Sequence, residues 1–303
     1  MFCARSSDIA ADPLTPAMPL LLLVSLLWAF SFGLIKHLTV GFDGAFISAA
    51  RLGLALLVFL PFLRLRGIAP RTAFALAGIG ALQFGLMYLA YNESFRFLKS
   101  HEVAVFTLTT PIFVTLLADA FDRTLRGPAL GAAVLAVLGG AAIVVRSAPT
   151  AGTFTGVGLI QLSNLAFALG QVLYRRLRAT RPELRDRDVF ALVYLGAFAL
   201  TLPVSLARTD FAALPLTPPN LAILFYLGLI ASGLGFFLWN IGATRVPAGT
   251  LAVMNNAKIP LAVAVSLLVF GETADLTRLA IGGVVLGFAV WLAERRPPQR
   301  SSL

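Results

Sequence analysis

The sequence predicts an all-α membrane protein: ten transmembrane helices forming two inverted five-helix repeats, with both termini cytoplasmic. Three observations predict it. Of 303 residues, 58% are apolar and only 13% charged, and mean hydropathy is +0.88. Soluble domains are about 45–50% apolar and about 25% charged, so a water-facing surface of this size would lack charges. The chain also divides into ten apolar runs of spanning length, and the last five runs echo the first five.

A spanning helix needs about 20 mostly apolar residues. Turn residues and charges leave runs at 17–36, 44–63, 72–92, 101–119, 128–145, 154–174, 189–207, 220–242, 247–270 and 276–293. The first run has only Arg5 ahead of it, is followed by Lys36 and His37, and lacks a small-residue cleavage site. It is therefore read as helix 1 and not as a signal peptide. A closed barrel would show segments of about 10 alternating residues, and these runs do not alternate.

Orientation follows from the loops. Arg64, Arg66 and Arg71, then Arg123 and Arg126, then six arginines from Arg175 to Arg187, and finally Arg295, Arg296 and Arg300 lie on one side. Connections of the other parity carry one or two Lys/Arg each. Cationic loops stay inside, which puts both termini in the cytoplasm of an inner membrane. The expected organisation is a tail at 1–16, repeats at 17–146 and 147–293, and a basic tail at 294–303.

The repeat is legible in ordered matches. Tyr91-Asn92 and Trp239-Asn240 are 148 positions apart, Pro111 and Pro260 149, and Val137-Leu138-Gly139 and Val285-Leu286-Gly287 148. Ala29-Phe30 and Ala166-Phe167 are 137 apart, a difference that the long connection between helices 6 and 7 absorbs. Five is odd, so the second copy enters the membrane from the opposite side, as in alternating-access carriers.

The residues out of place in lipid mark a candidate site. Pro111 and Pro260 each remove a backbone hydrogen bond, freeing the carbonyls of Thr107 and Asn256 at kinks that could gate a cavity. Lys258 lies about eleven residues into helix 9, roughly 16 Å deep, near the midplane of a ~30 Å core. A charge there faces a cavity or a partner; with Asn255 and Asn256 it would attract a carboxylate, or it caps freed carbonyls and only stabilises the bundle. Asn164, Ser31 and Thr107 add polar lining, with Asn240 at the end of helix 8. Trp28, Tyr88 and Trp239 supply walls, although Trp239 also suits an interfacial belt and the polar groups also suit interhelical bonding. Arg51, seven residues into helix 2, is read as structural, either snorkelling outward or bonding neighbouring carbonyls. The glycine-rich helices 5 and 10 read as scaffold between the repeats.

Other chemistries lack carriers. One cysteine, Cys3, and two histidines, His37 and His101, at helix ends give no metal site, haem or other cofactor. No carboxylate sits mid-helix to relay protons, and no GxxxxGK[ST] loop binds ATP. The net charge of +10 is dispersed over short loops, unlike a nucleic-acid footprint.

Trp28-Ala29-Phe30-Ser31, Ala50-Arg51-Leu52 and Gly271-Glu272, in a five-plus-five frame, resemble the EamA family of the drug/metabolite transporter superfamily over helices 1 to 10. Arg51 matches the arginine often found in helix 2 of the first repeat. Glu272 matches the glutamate that commonly follows helix 9 and is taken as structural. The first repeat departs from the pattern, with Asp122-Arg123 in place of Gly-Glu, and Lys258 is not a family-wide feature, so its role rests on the physical argument. The resemblance implies a secondary transporter that moves amino acids or related carboxylates and amines by alternating access. Its partners would be a small-molecule substrate and the lipid bilayer. A structural or assembly membrane protein, or an intramembrane enzyme, are the competing readings.

Overall fold

The computed structural model describes residues 17–124, 127–144, 150–245 and 248–294. Among the described residues there are helices and no strand. They form ten rods: α1 Ala17–Leu38, α2 Gly44–Phe59, α3 Pro70–Ser94, α4 Ser100–Phe121, α5 Gly127–Val144, α6 Ala151–Thr180, α7 Asp186–Arg208, α8 Pro218–Arg245, α9 Ala248–Leu268 and α10 Leu276–Glu294. Seven are long and apolar enough to span a membrane, and Lys258–Leu268 and Leu276–Leu292 are shorter apolar helices.

Local chemistry sets the ends. Asp43 caps α2 by accepting the N–H groups of Ala45 and Phe46, both at 2.9 Å, as a short acidic side chain does at an N-terminus. α6 outruns its expected limit of 174 because its arginine-rich end stays helical. There Tyr174 and Arg178 both bond Asp186, at 2.5 and 2.8 Å, which leaves a short turn before α7.

Packing obeys a two-fold relation between α1–α5 and α6–α10. α5 packs along α10, and α2 along α7. Every other major cross-repeat contact has its mate: α1–α9 with α4–α6, α3–α7 with α2–α8, and α3–α6 with α1–α8. The glycines repeat too. A Cβ on Gly80 would meet Val193 of α7, and one on Gly228, 148 positions later, would meet Leu54 of α2. Small residues let backbones approach where lipid supplies no hydrophobic drive.

The two prolines sit in different settings. α4 is α-helical over Ser100–Phe106, tightens to 3₁₀ over Thr107–Thr109, and resumes at Thr110 with the buried Pro111 in its first turn. α9 runs unbroken through Pro260, whose ring is exposed on the bundle exterior. Other interruptions do match: π-helical segments occupy Ala81–Leu86 of α3 and Tyr226–Leu234 of α8. Shifted by 148, the first falls inside the second. Such bulges often sit at functional sites.

Candidate functional site

A cavity opens between the repeats, beside these interruptions. It is lined by Trp28, Ser31, Phe32 and Ile35 of α1, Arg51 of α2, and Met87, Tyr88 and Tyr91 of α3. Thr107 and Thr110 of α4, Ser163, Asn164 and Phe167 of α6, Phe236 of α8 and Lys258 of α9 complete it. Its non-atom space is about 580 Å³, open side included. Two cations line it and no acidic side chain does.

Arg51 turns inward. It is 2% exposed, so the outward-snorkelling alternative does not describe it. Its Nε donates to Ser232 Oγ at 3.1 Å, one terminal nitrogen to Tyr88 OH at 2.6 Å, and the other to Asn92 Oδ1 at 3.5 Å. Asn92 in turn donates to Ser48 at 2.8 Å. Arg51, Tyr88, Asn92 and Ser48 belong to the first repeat and Ser232 to the second, so the network joins the halves.

The π-segment of α8 is held by outside donors. Trp28 Nε1 donates to Ala231 O at 2.9 Å. Tyr194 OH lies 2.7 and 2.8 Å from the carbonyls of Ser232 and Gly233. The donors come from α1 and α7, so side chains of two other helices pin this segment of α8.

Lys258 projects into the same space. Its Nζ stands 4.7 Å from the Trp28 ring centroid and 5.9 Å from that of Trp239, within cation–π reach. Trp239 is fully buried behind the lining and packs on Trp28 at 5.1 Å, in the interior and not at a membrane interface. Asn240 accepts from Gln83 at 3.2 Å and ties α8 to α3 away from the cavity wall. Asn164 commits its amide protons to Phe106 O and Thr109 Oγ1, which leaves its carbonyl oxygen for a ligand. The side chains of Asn255 and Asn256 lie outside the described residues.

Glu272 holds a junction of its own. It accepts from Ser100 N at 2.9 Å, His101 N at 3.2 Å, His101 Nδ1 at 2.8 Å and Ser266 Oγ at 2.5 Å. Nearby, Lys36 of α1 donates to Leu98 O at 3.0 Å and to Phe95 O. Burial pushes the Glu272 carboxyl up, but the bonds from His101, Ser266 and Ser100 outweigh it and hold the group below the usual carboxylate range.

Sequence reading gave Arg51 only a structural part and missed its partners and the π-segments. Tyr88 and Asn92, an i,i+4 pair on one helix face, were the available signal for the first. Among the described residues no group of His, Cys, Asp and Glu could hold a metal.

Two pseudo-symmetric five-helix bundles around a central cavity that both halves line define a membrane transporter of the inverted-repeat class. Residues 15–145 and 154–294 each match the EamA-like transporter family, and the chain belongs to that family. It is 44% identical over 277 residues to the "Probable biotin transporter" of Pseudomonas aeruginosa, covering 91% of this chain and 96% of that one. It is 38% identical over 287 residues to the "Biotin transporter" of Escherichia coli K12, covering 94% and 95%. A crystal structure at 17% identity superposes with a TM-score of 0.66 over 92% of this chain and 96% of that one, which concerns the fold alone. The chain is thus a multi-pass transporter of small metabolites and not an enzyme.

Proposed function

We propose that the protein carries biotin across the bacterial inner membrane by alternating access. Near-full-length likeness to the two biotin transporters carries this reading. The cavity's chemistry agrees with it. Biotin is a monoanion with an apolar ring system and a ureido group. Arg51 and Lys258 supply positive potential for the carboxylate. Trp28, Phe167, Phe236 and Tyr91 supply apolar and aromatic walls, and the Asn164 carbonyl is an acceptor for a ureido N–H.

The same lining disfavours amino acids and amines. An ammonium group needs an anionic or acceptor-rich subsite, and here it would face two cations with no carboxylate among the lining residues. Like charges brought together in low dielectric are strongly unfavourable.

The arginine-rich α6–α7 connection supports cytoplasmic termini. The mated packing of α1–α5 with α6–α10 supports a division into two five-helix repeats; the boundary between 146 and 147 lies outside the described residues. In this reading Lys258, Asn164, Trp28, Ser31, Tyr88 and Thr107 meet the substrate, Trp239 and Asn240 back them, and Pro111 opens the α-helical part of α4 beyond its 3₁₀ turn.

Uptake of labelled biotin into proteoliposomes tests the reading directly. Saturable uptake, competed by unlabelled biotin and not by alanine or putrescine, is the expected result. Uptake of amino acids without biotin would replace it.

A further inference from the structure

The cavity holds two cations, and their settings differ. Lys258 stands over two indole faces. Arg51 is 2% exposed and bonds only to the neutral oxygens of Ser232, Tyr88 and Asn92, with no carboxylate among its partners. A buried guanidinium is ordinarily neutralised, because an uncompensated charge away from water is expensive. Its fork has five N–H groups. Three have partners here, and the one to Asn92 is stretched to 3.5 Å. Two N–H groups remain, at the edge of the cavity that Arg51 itself lines.

We infer that Arg51 is the substrate's carboxylate-pairing residue and sets the preference for an acid over its neutral analogue, with Lys258 contributing potential from its indole cage. The inference rests on the reading that a small carboxylate is carried, and it identifies the group that recognises it. A planar fork matches a carboxylate through two parallel bonds, which an ammonium cannot reproduce. The Tyr88 hydroxyl, 2.6 Å from one terminal nitrogen, and Ser232 hold the guanidinium plane in place. The sequence places Arg51 in a helix. The structure gives it a cavity to face, neutral partners and no counter-ion.

The test compares biotin with biotinamide, which differ in the carboxylate, as competitors of labelled biotin uptake in proteoliposomes. Wild type should prefer the acid strongly. Arg51→Gln should raise the KM for biotin on the order of 100-fold and bring the acid-to-amide preference close to one. Arg51→Lys should keep a weakened preference. Lys258→Gln should weaken uptake yet retain the preference. The inference is overturned if Arg51→Gln still discriminates, or if Lys258→Gln alone abolishes discrimination. Should Arg51→Gln not fold, Arg51→Lys decides: a KM for the acid unchanged from wild type overturns the inference. Should wild type carry no biotin, the biotin reading fails. Thermal shifts by paired carboxylates and amides then decide the role of Arg51. Loss of the acid-specific shift in Arg51→Gln sustains it, and its persistence refutes it.

Discussion

Glu272 accepts the backbone N–H of Ser100 at 2.9 Å, so a carboxylate from the second repeat caps a helix of the first. The first N–H groups of a helix have no intrahelical partner, and the helix dipole favours an anion there. With His101 N, His101 Nδ1 and Ser266 also donating to it, Glu272 binds the start of α4 to the end of α9. Glu272→Ala would leave these donors buried and unserved, so it should destabilise the protein by about 2–3 kcal/mol. Tryptophan-monitored thermal unfolding in detergent reads this, and an unchanged midpoint would show that the cap is dispensable.

The same carboxylate makes stability fall in acid. Its folded-state pKa is depressed, so its contribution is complete above the ordinary glutamate value of about 4.3. The contribution fades as pH drops below that point toward the folded value. The unfolding midpoint should therefore decline between pH 5 and pH 3. Glu272→Gln should be less stable at pH 7 and show a shallower decline. Parallel pH profiles for the two proteins would refute the assignment.

Arg123 has φ +54°, a left-handed backbone that lets Thr124 N reach Asp119 O at 2.8 Å and Arg123 N reach Ala120 O at 3.2 Å. This is the Schellman ending that usually uses glycine. Gly271, 148 positions later, has φ +65° at the end of α9. Both repeats thus keep a left-handed residue at this position, arginine in the first and glycine in the second. Arg123→Gly should stabilise by up to about 1 kcal/mol, and Gly271→Ala should destabilise, both read from unfolding midpoints.

What the sequence disclosed follows from what lipid demands. Spans, breaks and the repeat were legible because a membrane helix must be apolar for its whole length and its connections must not be. Inward faces were not legible, because a helix such as α2 is apolar almost all round and periodicity then marks no side. That is why Arg51 could be placed at a depth but not in a direction. Pro111 and Pro260 looked equivalent as letters. Only packing distinguishes a buried proline that ends a 3₁₀ turn from an exposed one inside an unbroken helix. The π-segments left no letter pattern, and the carbonyls of the one in α8 are bonded by Trp28 and Tyr194 from distant helices.

The α3–α7 crossing offers an internally controlled test of close packing. A Cβ on Gly80 would lie 1.8 Å from Val193 O, and one on Gly196 1.9 Å from Ala77 O. Both obstacles are backbone, so no rotamer change relieves them and the helices must separate. Gly78, two residues earlier on the same helix, has nothing within 4 Å of its would-be Cβ. In an open site, alanine gains about 0.5–1 kcal/mol over glycine in a helix. Gly78→Ala should therefore raise the unfolding midpoint slightly, whereas Gly80→Ala should lose roughly 2 kcal/mol or more through forced separation. Because α3 also carries Tyr88 and Asn92, the separation should loosen their hold on Arg51 and lower uptake in Gly80→Ala but not in Gly78→Ala. Equal effects of the two substitutions would mean that the crossing is not the tight contact these distances describe.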